Sequence, residues 1–238
     1  MPHFSEYPNS VVIGIYRDPP GSSTFKIKKT VYQYGVKVSE DETDYEFDPT
    51  PGPSPEPVAG LIQATYPDEY STITSVSQLN DGVPITITQR GLQYMCANCT
   101  ALQSVDVKTD FDYSGWTGGY WQSAFSLHQY AFYNCTSLIS VDFDDLFTYV
   151  PGNNWGTCQS MFQGCNNLTT ITTSNNKIQI SLGGCKDMFK GCAKLTGLNI
   201  VCDHDLSEAY IPYGSTEVFT HGYEYLGLTA GQFTQVEA

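Results

Sequence analysis

The chain has 238 residues and a net charge of −14, from 25 Asp and Glu against 11 Lys and Arg. That length fits one large domain or two modest ones, and so acidic a surface excludes nucleic-acid binding through a basic patch. No apolar run approaches the roughly 18 residues needed to insert in a membrane, while 17 Tyr, 12 Phe and only 15% charged residues describe a β-rich chain with polar, uncharged surfaces.

The N-terminal residues Met1 to Glu6 lack the basic start and apolar stretch of a secretory signal, so export by the general route is not expected. Val11–Tyr16 and Phe25–Lys28 read as strands around the turn Asp18-Pro19-Pro20-Gly21, and Thr30–Val38 extends the β signal. A segment as short as 1–47, with no disulfide, rarely folds alone. It is expected to lean on a partner, on another copy of itself or on the rest of the chain. Glu40, Asp41, Glu42, Asp44, Glu46 and Asp48 read as a solvated acidic run, without the glycine and spacing of a calcium loop. Five prolines alternate through Asp48–Pro57, the composition of a stiff spacer, which predicts a linker over 48–59 that holds two parts apart. Beyond it, Ile73–Val76 and Ile85–Thr88 alternate like strands and resemble a lead-in or cap.

Four segments then align without gaps: Met95–Val107, Ala131–Phe143, Met161–Thr173 and Met188–Ile200. They share Met/Ala-Phe/Cys-x-Asn/Gly-Cys-x-x-Leu-x-x-Val/Ile/Leu. A turn ends at Asn or Gly, residues that tolerate a left-handed backbone. Cys enters the core as a small hydrophobe, Leu packs beneath it, and the end alternates with period two as a short strand. One such unit cannot bury its own apolar edge, so units must stack into a solenoid. Cys99, Leu102, Cys135, Leu138, Cys165, Leu168, Cys192 and Leu195 become its repeated core. Seven residues before each of these cysteines stand Leu92, His128, Cys158 and Cys185, a second interior row. Cys96 occupies the Phe position, and Cys202 alone is left over.

These segments resemble the BspA-type leucine-rich repeat, and closely its Met-Phe-x-Gly-Cys-x-x-Leu variant in bacterial surface proteins. The resemblance covers roughly Ile85 to Ile211. It implies a curved stack with one short strand per repeat, roles in adhesion or recognition, and no catalytic residues. The repeated cysteines stand 36, 30 and 27 residues apart, against about 20–29 for leucine-rich repeats, so the extra residues must leave the stack as loops.

Other chemistry is weakly signalled. Cys96-x-x-Cys99 lacks the second pair of a structural zinc site, and Cys202-Asp203-His204-Asp205 would point its neighbours to opposite sides of an extended chain. No nucleophile elbow, phosphate loop, zinc-protease or dinucleotide motif occurs. No catalytic residue, metal or cofactor is expected. Asn98-Cys99-Thr100, Asn134-Cys135-Thr136 and Asn167-Leu168-Thr169 match a glycosylation acceptor, but all three fall in the repeat turn and are read as part of it. The insert Asp112–Gln122 sets Tyr113, Trp116, Tyr120 and Trp121 among glycines, in a place the solenoid does not need. Such loops often form the binding face of a repeat array, and Tyr and Trp supply contact area at low entropic cost. These four are the candidate ligand-binding residues, for a host-surface glycan or protein.

The expected fold is mainly β: an irregular leucine-rich-repeat solenoid over 60–238, with caps, preceded by a small β anchor at 1–47 and the spacer at 48–59. The expected function is non-catalytic. The chain reads as a bacteriophage virion component (head fibre, capsid decoration or tail protein) on the virion surface, joined to other virion proteins through 1–47. The alternative is an extracellular or cell-surface adhesin, bacterial or protist, that binds host protein or glycan. Either is compatible with a homo-oligomer.

Overall fold

The structure, a computed structural model, describes residues 9–17, 24–46, 62, 65–78, 85–87, 92–106, 109–111, 128–143 and 158–237. Each repeat turn leads into a short strand: β6 (Ser104–Asp106), β8 (Ser140–Asp142), β9 (Thr170–Thr172) and β11 (Leu198–Cys202) follow the first to fourth turns. In β6, β8 and β9 one β-branched side chain points in between polar neighbours, while the longer β11 buries Leu198 and Ile200. Val105, Val141 and Ile171 pair in parallel register and are all buried. The fold is a β-rich stack of repeats.

The sheet does not begin at the first repeat. β4 (Ser75–Gln78) pairs in parallel with β6, placing Val76 beside Val105. β1 (Asn9–Arg17) pairs in parallel with β4, placing Ile13 beside Val76. β2 (Thr24–Gln33) and β3 (Val36–Glu46) complete an antiparallel meander on β1. One seven-stranded sheet results, in the order β3-β2-β1-β4-β6-β8-β9. The N-terminal strands therefore do not stand off from the repeats, as a stiff spacer had implied. They lean on the stack and close its first end, because Ile13, Ile15 and Ile27 need an apolar layer that the repeats supply. The spacer itself, 48–59, lies outside the described residues.

At the other end the sheet divides. β11 pairs not with β9 but with β10 (Ile178–Ile180), which follows β9 after a turn, and with β12 (Phe233–Gln235). β5 (Ile85–Ile87) and β7 (Thr109–Phe111) form a separate parallel pair. The C-terminal segment imitates a repeat. Asp187 and Phe189 donate their N–H groups to the carbonyls of Tyr225 and Leu226, at 2.8 Å each. The buried Gln232 amide donates to the carbonyls of Cys192 and Leu195, also at 2.8 Å each. Gly227, at φ +78, lies so close to Lys190 that a Cβ there would sit 2.6 Å from its Cα. Only glycine lets this cap seat.

Inside, Leu102, Leu138, Leu168 and Leu195 are wholly buried. Phe132, Phe162 and Phe189 stack with ring centroids 5.4 and 5.9 Å apart. Replacing Leu168 by Ala removes a central member of this interior and is expected to cost about 2–5 kcal/mol, read as a lower denaturant midpoint at constant slope. A cost near zero would place Leu168 outside the core.

Candidate functional site

The turn segment is where the repeats are joined, and its backbone divides the work by parity. In the first repeat the N–H groups of Met95, Ala97 and Cys99 bond within the turn, to the carbonyls of Leu92, Tyr94 and Cys96. Those of Tyr94, Cys96 and Asn98 cross to the next repeat, to Gln129, Ala131 and Tyr133, at 2.7–3.1 Å. The second and third repeats do the same toward their successors. Two residues per turn take positive φ to achieve this: Asn98, Asn134, Gly164 and Gly191, and four residues earlier Tyr94, Tyr130, Ser160 and Asp187. The left-handed region costs a Tyr or Ser about 1–2 kcal/mol, which the satisfied backbone bonds offset.

The repeated cysteine completes the junction. Cys135 donates its thiol to the carbonyl of Cys96, Cys165 to Phe132 and Cys192 to Phe162, at 3.0–3.1 Å. Each of these carbonyls also accepts one N–H from its own turn, so both lone pairs are occupied. Cysteine suits the position because it packs as a small apolar group and still offers a weak donor. Burial, with the Cys192 thiol nearby, pushes Cys165 upward. Burial pushes Cys192 and Cys202 up to about 12. All eight cysteines are free thiols.

Other rows run alongside. Leu92, His128, Cys158 and Cys185 are all buried, and a hydrogen bond with Cys158, then burial, raises the Cys185 thiol. Gln93, Gln129 and Gln159 link their amides in series, and Asn134 donates to Asn98 at 3.2 Å. Asn167 donates to the Thr136 carbonyl at 2.8 Å. The asparagines of the three glycosylation-like triplets thus hold repeat to repeat. Tyr94 and Tyr130 stack at 5.0 Å and 17°, and Tyr133 meets Tyr130 edge-on. With their facing surfaces turned on one another, these rings form a structural row rather than a platform for a ligand. Asp203 accepts from Ser181 Oγ and the Leu182 N–H, so its carboxylate fastens a turn. Among the described residues no group of three or more His, Cys, Asp or Glu is placed to hold a metal ion.

What remains outward is the other side of the seven-stranded sheet. Register aligns Ser104, Ser140 and Thr170 in one row and Asp106, Asp142 and Thr172 in a second, with strands about 4.8 Å apart. Asp142, Thr170 and Thr172 are exposed, the others half-buried. These rows set short hydroxyl and carboxylate groups side by side on the outward face. The sequence pattern pointed inward and passed over it, though the alternation that places Val105 inside necessarily places Ser104 and Asp106 outside. The aromatic residues Tyr113, Trp116, Tyr120 and Trp121 lie outside the described residues. Their insert joins β7 to the turn that opens at His128.

Against known families, the model of a BspA-type leucine-rich repeat region (6 copies) matches residues 121–211. Over this stretch the chain is similar to BspA-type leucine-rich repeats. The match takes in the second, third and fourth repeats and leaves Met95–Val107 before it. No curated protein and no solved structure matches the chain. Repeats of this family are typical of surface proteins, mediate protein interactions and are typically non-catalytic. No helix among the described residues is long and apolar enough to cross a membrane.

The buried thiols make stability depend on alkaline pH. A free thiol titrates near 8.5, whereas Cys192 is held near 12 in the fold. Between those values the folded chain binds more protons than the unfolded one. Stability is therefore full below about pH 8.5 and declines as pH rises toward 12. The denaturation midpoint is expected to fall steadily from about pH 9 upward, and Cys192→Ala should flatten part of that fall. A midpoint unchanged across this range would mean the thiols reach water.

Proposed function

We propose that the protein is a non-catalytic recognition module displayed on a larger particle, a bacteriophage virion component such as a head fibre, capsid decoration or tail protein. The observation that supports this reading is the thiol ladder. Cys135, Cys165 and Cys192 commit their S–H groups to carbonyls, and a disulfide at any of them would break a junction between repeats. Such a core assembles where thiols stay reduced, which is the condition of the cytosol in which virions are built. A second reading, a cell-surface adhesin for a host protein or glycan, draws support from the surface character of the repeat family. In both, contact falls to the outer rows of the sheet and to the insert bearing Tyr113, Trp116, Tyr120 and Trp121.

Alkylation mass spectrometry on protein from its native source, denatured without reductant, separates the two. Eight labelled cysteines are expected for the virion component; paired cysteines would move the adhesin ahead. Trp116→Ala combined with Trp121→Ala is expected to weaken attachment about ten-fold or more, with the melting temperature unchanged. A large fall in melting temperature would assign the insert to the core instead.

A further inference from the structure

The buried cysteines are of two kinds. Cys135, Cys165 and Cys192 aim their thiols at carbonyls of the preceding turn, at 3.0–3.1 Å. Cys158 and Cys185, in the row that opens each turn, set their thiols against one another instead. Backbone register brings them together. The Cys158 N–H donates to the Gly184 carbonyl at 3.0 Å, Ser160 to Lys186 at 2.9 Å and Phe162 to Met188 at 2.9 Å. Each residue of the third turn therefore lies over the residue 27 positions on. The Phe162 and Phe189 rings follow the same offset, stacked at 5.9 Å and 3°. Cys158 thus sits over Cys185, with Cα atoms about 5 Å apart, the spacing of neighbouring strands. A disulfide spans about 4.4–6.8 Å between Cα atoms, so the two can be joined without moving the turns.

The other cysteines are placed differently. Cys165 also lies over Cys192, but both spend their S–H groups on carbonyls. Cys96 and Cys99 belong to one turn, closed by the Cys99 N–H on the Cys96 carbonyl at 3.1 Å, and both are wholly buried. A bond between them would join no repeat to another. Cys202 is half-buried, and its Sγ lies 3.6 Å from a carboxylate oxygen of Asp203, which disfavours the reactive thiolate. Cys158 keeps 5% of its surface in water while Cys185 keeps none, so a reagent meets the pair from the Cys158 side. The hydrogen bond with Cys158, then burial, holds the Cys185 thiol up. Closure of the pair is therefore slow at neutral pH and quickens as pH rises.

We infer that Cys158 and Cys185 form a redox-controlled staple, a disulfide that joins the third repeat to the fourth in oxidising surroundings and opens in reducing ones. The oxidant is a low-molecular-weight disulfide. The Cys158 thiol loses its proton and its sulfur attacks that disulfide, breaking the S–S bond and releasing one thiol. Cys185, deprotonated in turn, attacks the mixed disulfide and releases the second. Two electrons pass from the pair to the oxidant, and two protons leave with the released thiols. The new bond closes a loop of 27 residues in the unfolded chain, which lowers its entropy and favours the fold. It fastens the fourth repeat, whose strand β11 lies outside the seven-stranded sheet, and with it the C-terminal cap. The thiol bonds to carbonyls elsewhere in the stack stay as they are. The inference depends on neither reading of the function.

The test starts from the full chain, purified under reductant and equilibrated near pH 8 with oxidised and reduced glutathione in rising ratio. Intact mass, alkylation and peptide mapping then read the cysteines. A loss of two hydrogens, a Cys158–Cys185 cross-link and six labelled cysteines are expected. The melting temperature is expected to rise by about 5–15 °C and to return when dithiothreitol is added. Cys202→Ser should close as the wild type does. Cys158→Ser and Cys185→Ser, each compared with its own reduced form, should show no rise. Eight labelled cysteines at every ratio would overturn the inference, as would a cross-link formed first at Cys96–Cys99 or at Cys202. A staple that lowers the melting temperature would overturn it too. The map is read on wild-type protein, so the result stands even where a variant folds poorly.

Discussion

The stack depends on how one turn shares its N–H groups. A donor cannot serve its own turn and the next one at once, so the chain alternates them, one bond inward and one bond across. That alternation requires the backbone to switch handedness twice in each turn, at Tyr94 and Asn98 in the first repeat and at Asp187 and Gly191 in the fourth. It also explains where the repeats tolerate extra length. A residue added between Leu92 and Cys99 would exchange the roles of every donor after it, and the turns keep one length in all four repeats. The additional residues enter instead between a strand and the following turn, outside the ladder of turn bonds. Irregular spacing and a regular junction are therefore two results of one rule.

The cysteine follows from the same constraint. Each Cys96-type carbonyl has a lone pair left over after its turn closes, and it is buried where water cannot reach. An apolar side chain above it would leave it unsatisfied, at about 1–3 kcal/mol. A thiol bonds it without bringing a strongly hydrated group into the core. The amide rows of Gln and Asn serve the rim of the turn in a comparable way, and Gln232 donates to the Cys192 and Leu195 carbonyls of the fourth repeat.

Much of this was legible in the sequence, for a physical reason. The turn and strand repeat as a short contiguous block, so Cys, Leu and the β-branched residue recur at fixed offsets, and the interior of three junctions can be read from one alignment. The left-handed Asn98 and Gly164 were equally readable, since those residue types prefer that backbone. Tyr94, Tyr130, Ser160 and Asp187 were not, because nothing in a Tyr or Ser announces positive φ; the ladder imposes it. The joining of β1 to β4 was also hidden, since pairing between residues some sixty apart leaves no period in the chain. The same holds for the change of partner at β10 and for a C-terminal cap that copies the hydrogen bonds of a repeat without its Cys or Leu. On the recognition side, the outer rows of Ser, Thr and Asp carry no motif, being only the complement of the inward pattern.

The parity of the turn bonds also gives the molecule a mechanical grain. Each repeat is tied to the next by the same few parallel bonds and one thiol, loaded one after another when the C-terminal end is pulled along the chain. Seen as a tether, the protein is a series of latches, the first two junctions reinforced by strand pairing that the third lacks. Once the cap lets go, the slack released by successive latches is set by the repeat spacings of 27, 30 and 36 residues, so the stack pays out progressively longer lengths of chain as it yields.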